Sequence, residues 1–280
     1  MQLLKRAIDS VLIQSYPRIE IIVVDDGSAD GTRDYLHDLS KASSIRSIFM
    51  PVSVGACNAR NFAINSANGE FLTGLDDDDY FEPDRIRKFV DKWQEINNQN
   101  IRLAGLFDGI QIIRNETQLL ASLSQATNGN QLKIRNVIGN QVFAPREHFI
   151  GAGLFDNSLP CWQDWDLWCR MAKQYGDFLN CGNFSYVQDL KSTSNRISTQ
   201  PGFTIRYASR RFQMKHGPYS LSERAGFVSS LCDYPQVTLY PSELFMLAGS
   251  WQIPALARKL AQILLPRSAY SGLRELVNSK

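Results

Sequence analysis

Cysteine and histidine are scarce in this chain: five and three of 280 residues, with no Cys-x-x-Cys pair among Cys57, Cys161, Cys169, Cys181 and Cys232. An odd set of thiols with no histidine at ligand spacing argues against a disulfide framework and against a zinc site, so the cysteines read as reduced thiols. Long apolar runs are missing too. No stretch approaches the roughly 18 residues that a spanning helix requires, and the segment after Lys5 and Arg6 is broken by Asp9 and Gln14, unlike a secretory leader. Nor is there an excess of one charge: the net charge is +2, and no dense Lys/Arg stripe is interleaved with aromatics, which argues against nucleic acid as a partner. Internal repeats, low-complexity tracts and Gly-rich phosphate loops of the Walker or Rossmann kind are absent. What remains is an ordinary globular composition, 44% hydrophobic and 21% charged, long enough to bury a full core and expected in the cytoplasm.

Strand-like and helix-like periods alternate through the first hundred residues. Leu3, Leu4, Ala7, Ile8, Val11 and Leu12 recur at helical spacing, which predicts a helix over residues 2–15. Ile19 to Val24 is a continuous, β-branched run, as in a strand covered on both faces, and it stops at Asp25-Asp26-Gly27-Ser28. The pattern then predicts a helix over 31–39, a strand over 45–50, a helix over 56–67, a strand over 70–75 and a helix over 83–96. Such alternation argues for an open α/β sheet covered by helices, whose ligands lie at the carboxyl ends of the strands. Beyond residue 100 the pattern loosens. Leu103 to Ile113 and Gly139 to Phe143 read as strands, and the polar stretch Glu116 to Lys133 as a substrate-facing region. From Gly202 the chain is helical and divided by prolines. Ile253, Leu256, Leu260, Ile263 and Leu264 share one face there, which reads as packed on the protein, with rest on a membrane surface as the other reading.

Three constellations carry chemistry. Asp76-Asp77-Asp78-Asp79 follows the apolar run Phe71 to Leu75 directly. Four adjacent carboxylates repel one another, so a strand end keeps them only if water or a cation spreads the charge. Asp76 and Asp78, two apart, can aim at one point, and oxygen-only ligation suits Mg²⁺ or Mn²⁺ beside a substrate phosphate. Asp25 and Asp26 read plainly as turn formers, or as acceptors for a nucleobase or ribose. Arg60, in Ala59-Arg60-Asn61, reads as a surface ion pair or as an offset to the acidic cluster that touches a diphosphate. In Pro160-Cys161-Trp162-Gln163-Asp164-Trp165-Asp166-Leu167-Trp168, Asp164 stands where a loop becomes a helix. It reads as a helix cap among core tryptophans, or as a general base in a cleft whose aromatic walls suit sugar faces. Trp162, Gln163 and Trp165 are then the candidates on the acceptor side. His216 reads as a helix-end residue, with an approach to the metal as the alternative.

In that order, Ile21-Ile22-Val23-Val24-Asp25-Asp26-Gly27-Ser28, Ala59-Arg60-Asn61 with Gly69-Glu70, Leu75 to Asp79, and Gly153-Leu154-Phe155-Asp156 leading to Gln163-Asp164-Trp165, the motifs closely resemble those of family 2 glycosyltransferases with the GT-A fold. The resemblance covers residues 3 to 190 and fades beyond 200. It implies a GT-A-like open, mostly parallel sheet as a catalytic domain over 1–200, with a helical extension over 201–280. It also implies an inverting, metal-dependent, hexosyltransferase-like enzyme that moves a sugar from a nucleotide-diphosphate donor, UDP-linked, to a saccharide or lipid-linked saccharide acceptor. Bacterial surface polysaccharide or lipopolysaccharide assembly is the pathway implied. By position, Asp25 or Asp26 would meet the uracil or ribose, and Arg60 and Asp77 would lie near the nucleotide. Asp76 and Asp78 would form the Asp-x-Asp motif for ribose and Mn²⁺ or Mg²⁺, with Asp78 the direct ligand, and Asp164 would be the catalytic base. Gln163 stands where a Glu is more usual. Peripheral contact with the inner face of the membrane through the C-terminal helices is a further expectation. The family's first strand has no counterpart before the first helix here, which predicts two sheet neighbours with unpaired edges. It also raises the alternative of a non-catalytic nucleotide- or saccharide-binding remnant. A nucleotidyltransferase is disfavoured, because it wants a Gly-rich basic loop.

Overall fold

The structure, a computed structural model, describes residues 1–42, 45–99, 101–114, 117–121, 125–189 and 200–264. Its elements run α1 (Gln2–Leu12), β1 (Ile21–Asp25), α2 (Thr32–Ala42), β2 (Ile45–Phe49), α3 (Ala56–Ser66), β3 (Phe71–Thr73), β4 (Tyr80–Phe81) and α4 (Arg85–Asn97). There follow β5 (Leu103–Phe107), β6 (Ile110–Arg114), β7 (Thr117–Ala121), β8 (Ala126–Thr127), α5 (Gly129–Leu132), β9 (Phe143–Pro145), α6 (Arg146–Gly151), α7 (Gln163–Tyr175), β10 (Asp177–Asn180) and β11 (Tyr186–Asp189). Four helices close the described chain: α8 (Gly202–His216), α9 (Leu221–Leu231), α10 (Pro241–Gly249) and α11 (Ile253–Leu264). Two compact units result, Met1–Leu132 with Asn136–Ser194, and Lys133–Arg135 with Asn195–Lys280.

In the first unit the strands form three sheets, β1-β2, β3-β9-β5-β10-β8 and β4-β11-β6-β7. The pairings β1 with β2, β5 with β10 and β6 with β11 are parallel, and shorter antiparallel strands extend them. Among the described residues β1 pairs only with β2, and β3 only with β9. The other edges of both strands carry no neighbour. That corrects one expectation: Ile21, Ile22, Val23 and Val24 are each half-buried rather than covered on both faces. Ile8, Leu36 and Ile45 join α1, α2 and β2 in one core. Phe89, Ile96, Leu103, Leu106 and Phe143 form another, in which the Phe143 ring stacks on Phe71 at 5.0 Å and on Phe89 at 5.2 Å.

Polar side chains fasten α1 to the sheet. The Ser10 hydroxyl accepts the Phe81 N–H at 3.1 Å. Gln14, which interrupts the apolar pattern of the sequence, is buried, donates to the carbonyl of Glu82 at 2.8 Å and accepts the Ile86 N–H at 3.1 Å. The run Leu103 to Ile113, read as one strand, is two strands in different sheets, divided at Asp108-Gly109. A Cβ on Gly109 would stand 2.5 Å from the Phe184 ring, so only glycine lets the chain turn there. The stretch from Gly139, also read as a strand, is a loop until Phe143. Within Glu116 to Lys133 the described residues hold β7, β8 and α5.

In the second unit Phe212 of α8 stacks on Phe227 of α9 at 5.9 Å, and Ser220 with Glu223 forms a capping box at the start of α9. His216 closes α8 with its ring 4.4 Å from that of Phe212. Helix α11 is turned opposite to the reading of its sequence. Lys259 is buried, where its ammonium donates to Gln262 Oε1 at 2.9 Å and to the Tyr234 carbonyl at 3.3 Å, and burial lowers its pKa. Leu260, Ile263 and Leu264 consequently face solvent.

Below the sheets, Arg85 and Asp108 form a fully buried pair at 3.3 Å. The Arg85 guanidinium also donates to Ser185 Oγ at 3.0 Å and lies 4.6 Å from the Phe89 ring centroid. Removing one member of such a pair strands the other charge in a low-dielectric interior. Asp108→Ala is expected to destabilise the protein by about 3–5 kcal/mol, measured as a shift of the urea midpoint at unchanged slope.

Candidate active site

The site is built at the ends of β1 and β3. Asp25 is buried and accepts the Ser28 N–H at 3.2 Å and the Arg33 Nε–H at 2.8 Å, closing the turn into α2. Asp26 accepts the Val54 N–H at 2.6 Å, the Gly55 N–H at 2.9 Å and the Ser53 hydroxyl at 2.8 Å, which fixes the loop that opens α3. Burial pushes both carboxyls up, but the donors prevail and hold both below the ordinary aspartate range. Of the two roles read from the sequence, the structure displays the turn-forming one. A nucleotide contact here would have to share carboxylates that already serve the fold.

One turn into α3, Arg60 reaches the acidic run. Its NH2 group donates to Asp76 Oδ1 at 2.7 Å, and its guanidinium lies 5.6 Å from the Phe155 ring centroid. Burial works to lower the Arg60 pKa, but Asp76 and then Asp164 raise it on balance, so the cation is held firmly. The neighbouring Asn61 exchanges two hydrogen bonds of 2.9 Å with the backbone of Phe155. Ala59-Arg60-Asn61 and Gly153 to Asp156, distant in sequence, therefore meet at this helix.

Two of the four carboxylates, those of Asp76 and Asp79, are turned to different partners. Besides Arg60, Asp76 takes the Asn140 side-chain N–H at 2.9 Å and that of Gln141 at 3.3 Å. Asp79 is buried and accepts the Tyr186 hydroxyl at 2.8 Å. The Asp79 N–H closes a turn on the Asp76 carbonyl at 3.1 Å, and Arg6 of α1 holds the Asp78 carbonyl at 2.6 Å while pairing with Asp189 at 2.5 Å. Asp77 is the exposed member, and what burial it has, with the charges of Asp78 and Asp76, raises its pKa. Among the described residues no group of three or more His, Cys, Asp or Glu side chains converges on one point. The donor set fits the open mode of Mg²⁺ or Mn²⁺ binding, one or two carboxylates completed by phosphate oxygens. Asp76 is the member least suited to that mode, since its two oxygens already receive three N–H donors.

Asp164 enters the same field from α7. Burial raises its pKa most, the hydrogen bond from the Trp165 N–H and the charge of Arg60 lower it, and the charge of Asp76 raises it, so Asp164 lies within the electrostatic reach of both. Asn136 donates to Asp164 Oδ2 at 3.4 Å. Trp162, just before α7, has a left-handed backbone (φ 66°), an uncommon conformation for a bulky residue. The tryptophans do not form the open wall read from the sequence. Trp162 and Trp165 are only 7% and 3% exposed and pack on each other at 4.9 Å, while Gln163 donates to the Leu159 carbonyl at 2.9 Å. Their bulk is better satisfied in the core than at a wet surface. Cys57 lies in the same field, with its thiol pushed up to about 11 by burial, which unfits it as a nucleophile.

The structure joins Arg60 to Asp76 and brings Asp164 into the field of both, whereas Asp25 and Asp26 act through the backbone of the loops around them. Sequence reasoning missed Arg6, Asn136, Asn140, Gln141 and Tyr186. Isolated amides in a loop carry no periodic signal, and Arg6 is masked as one basic residue on an amphipathic helix. Asp26→Ala removes three hydrogen bonds and is expected to cost about 1–2 kcal/mol. Because its folded pKa is depressed, this contribution is complete above the ordinary aspartate pKa and fades as pH falls through the folded value. Acid unfolding followed by circular dichroism should show the variant's deficit shrinking at low pH.

With this geometry in place, the comparisons with known proteins gain a physical meaning. The family model for glycosyl transferase family 2 matches residues 2–142, the span that supplies Asp25, Asp26, Arg60 and the acidic turn. Escherichia coli K12 WcaA, named as a colanic acid biosynthesis glycosyl transferase, is 35% identical over 203 residues, which cover 71% of this chain and 72% of that protein. A Rickettsia conorii glycosyltransferase is 33% identical over 177 residues, covering 61% of this chain but only 29% of its own length. Among solved structures, S. aureus TarS 1-349 in complex with UDP-GlcNAc superposes with a TM-score of 0.60 at 14% identity, over 97% of this chain and 88% of that one. That likeness shows the GT-A fold, and the family model over half of the chain, with the match to WcaA, shows that this chain belongs to glycosyl transferase family 2.

Proposed function

We propose that this chain is an inverting glycosyltransferase that moves a sugar from a nucleotide-diphosphate donor, UDP-linked, to a saccharide acceptor, free or lipid-linked. The observation that supports the reading is that Asp164, held by Asn136 at the start of α7, feels the charges of the Arg60–Asp76 pair while burial raises its proton affinity. A carboxylate of raised pKa at a cleft is a better base near neutrality than an ordinary aspartate. In the proposed step the Asp164 carboxylate takes the acceptor hydroxyl proton as that oxygen bonds to the anomeric carbon. The bond from that carbon to the diphosphate breaks on the opposite face, and its electron pair leaves with the nucleotide. An α-linked donor then yields a β-linked product.

Arg60 faces the leaving side and offsets its charge, while Asp76, clamped by Arg60, Asn140 and Gln141, orders that side of the cleft. Asp78, assisted by Asp77, would hold Mn²⁺ or Mg²⁺. Such an ion supplies neutralising charge to the departing diphosphate when bound. We assign the catalytic part to residues 1–200 and a helical extension to 201–280, and place the enzyme in the cytoplasm. The likeness to WcaA supports a role in bacterial surface polysaccharide assembly, and the UDP-GlcNAc complex of TarS supports the donor class.

Asp164→Asn is expected to lower turnover by about 10²–10⁴-fold while donor affinity, measured by calorimetry, stays within error; unchanged turnover would remove Asp164 from its role. Because the base acts when ionised and its pKa is raised, the acid limb of the wild-type pH–rate profile should lie above the ordinary aspartate range. Asp78→Ala is expected to abolish the dependence of UDP affinity on Mn²⁺. A protein that binds donor and metal but never transfers would instead be the non-catalytic binder.

A further inference from the structure

The two units differ sharply in charge. Lys133–Arg135 with Asn195–Lys280 carry 13 Lys and Arg against 4 Asp and Glu, a net of +9 in a chain whose total is +2, so the other unit is −7. The acids of the basic unit that the structure describes are each neutralised within it. Glu223 pairs with Lys133 at 2.7 Å, Glu243 with Arg206 at 2.6 Å, and Asp233 with Arg135 at 3.1 Å. Beyond those pairs the sequence of this unit carries an excess of one sign.

On the same unit α8 carries apolar side chains on two opposite faces. Ile205, Ala208 and Phe212 are buried. Opposite them Phe203, Tyr207, Arg210 and Met214, spaced by four, three and four residues, fall on one line along the helix. Phe203, Tyr207 and Met214 are 77%, 52% and 84% exposed. Arg210 links that line to the start of α10 by donating to the hydroxyl of its N-cap Tyr240, itself 48% exposed, at 2.9 Å. The line is a convex ridge about 16 Å long from Phe203 to Met214, and it contains no acid. A ridge of aromatic, Met and Arg side chains within a net-positive unit is complementary to the headgroup region of an anionic bilayer. No described helix is long and apolar enough to cross one.

We infer that this α8 ridge is a membrane-docking surface, inserting Phe203, Tyr207 and Met214 between the headgroups of an anionic leaflet while the basic unit supplies the attraction. It goes beyond the proposed transfer chemistry and does not depend on it. The test is co-sedimentation of the full chain with vesicles of phosphatidylcholine, with and without a one-third share of phosphatidylglycerol. Wild type should partition onto the anionic vesicles only, and less as salt rises. Phe203→Ser with Met214→Ser should lower that partition at least about tenfold while leaving the melting temperature and metal-dependent UDP binding unchanged, and Tyr207→Ser provides a second, milder variant. Equal partition of wild type and both variants would overturn the proposal, as would absence of wild-type partition. So would a dimer in size-exclusion chromatography that the double variant splits without any vesicle binding, which would make the ridge a contact between copies.

Discussion

The Arg60–Asp76 ion pair is the interaction on which the cleft depends. It spans from the first turns of α3 to the end of β3, and it makes a run of four carboxylates tolerable by neutralising the first. Without it the charge of Asp76, which already raises the pKa of Asp77 and of Asp164, would lose its cationic offset. With it, Asp164 is balanced between a cation that favours ionisation and an anion and a burial that oppose it.

The supports of that pair come from all over the first unit. Asp26 anchors the loop that starts α3, Asn61 locks the helix to the Phe155 segment, and Asn140 with Gln141 closes on Asp76 from the loop before β9. Arg6 and Tyr186 fix the acidic turn from α1 and β11. Half of these bonds join side chain to backbone, which locates a loop more firmly than two flexible side chains locate each other. The arrangement suits a site that must fix charges before a substrate arrives, since electrostatic stabilisation is effective only where the dipoles need not reorganise.

The second unit follows a different logic. Its core is ordinary, with the Phe212–Phe227 stack and a capping box, but its polarity is partly inverted. Lys259 is buried among carbonyl and amide oxygens, and leucine and isoleucine of α11 face outward with the α8 ridge. Apolar side chains that face water in this way gain nothing from that exposure.

Much of the first unit was legible in order. Alternating apolar periods located α1, β1, α2, β2, α3, β3 and α4 to within a few residues, because each buries a face whose period the backbone fixes. The Asp-rich strand ends and the Asp164 turn were legible as chemistry, because charges at such positions need a reason. By itself, then, the sequence determined the helix-covered α/β class, the family and which acids stand at strand and helix ends. Tertiary structure alone decided that Leu103 to Ile113 breaks at Gly109, that the tryptophans face inward, that Lys259 is buried, and that Asn136, Asn140, Gln141, Arg6 and Tyr186 converge on the acidic turn. The physical reason is range: periodicity reports contacts within an element, whereas a side chain's partner across 60 or 180 residues is set by how the elements pack, and nothing in local spacing encodes it.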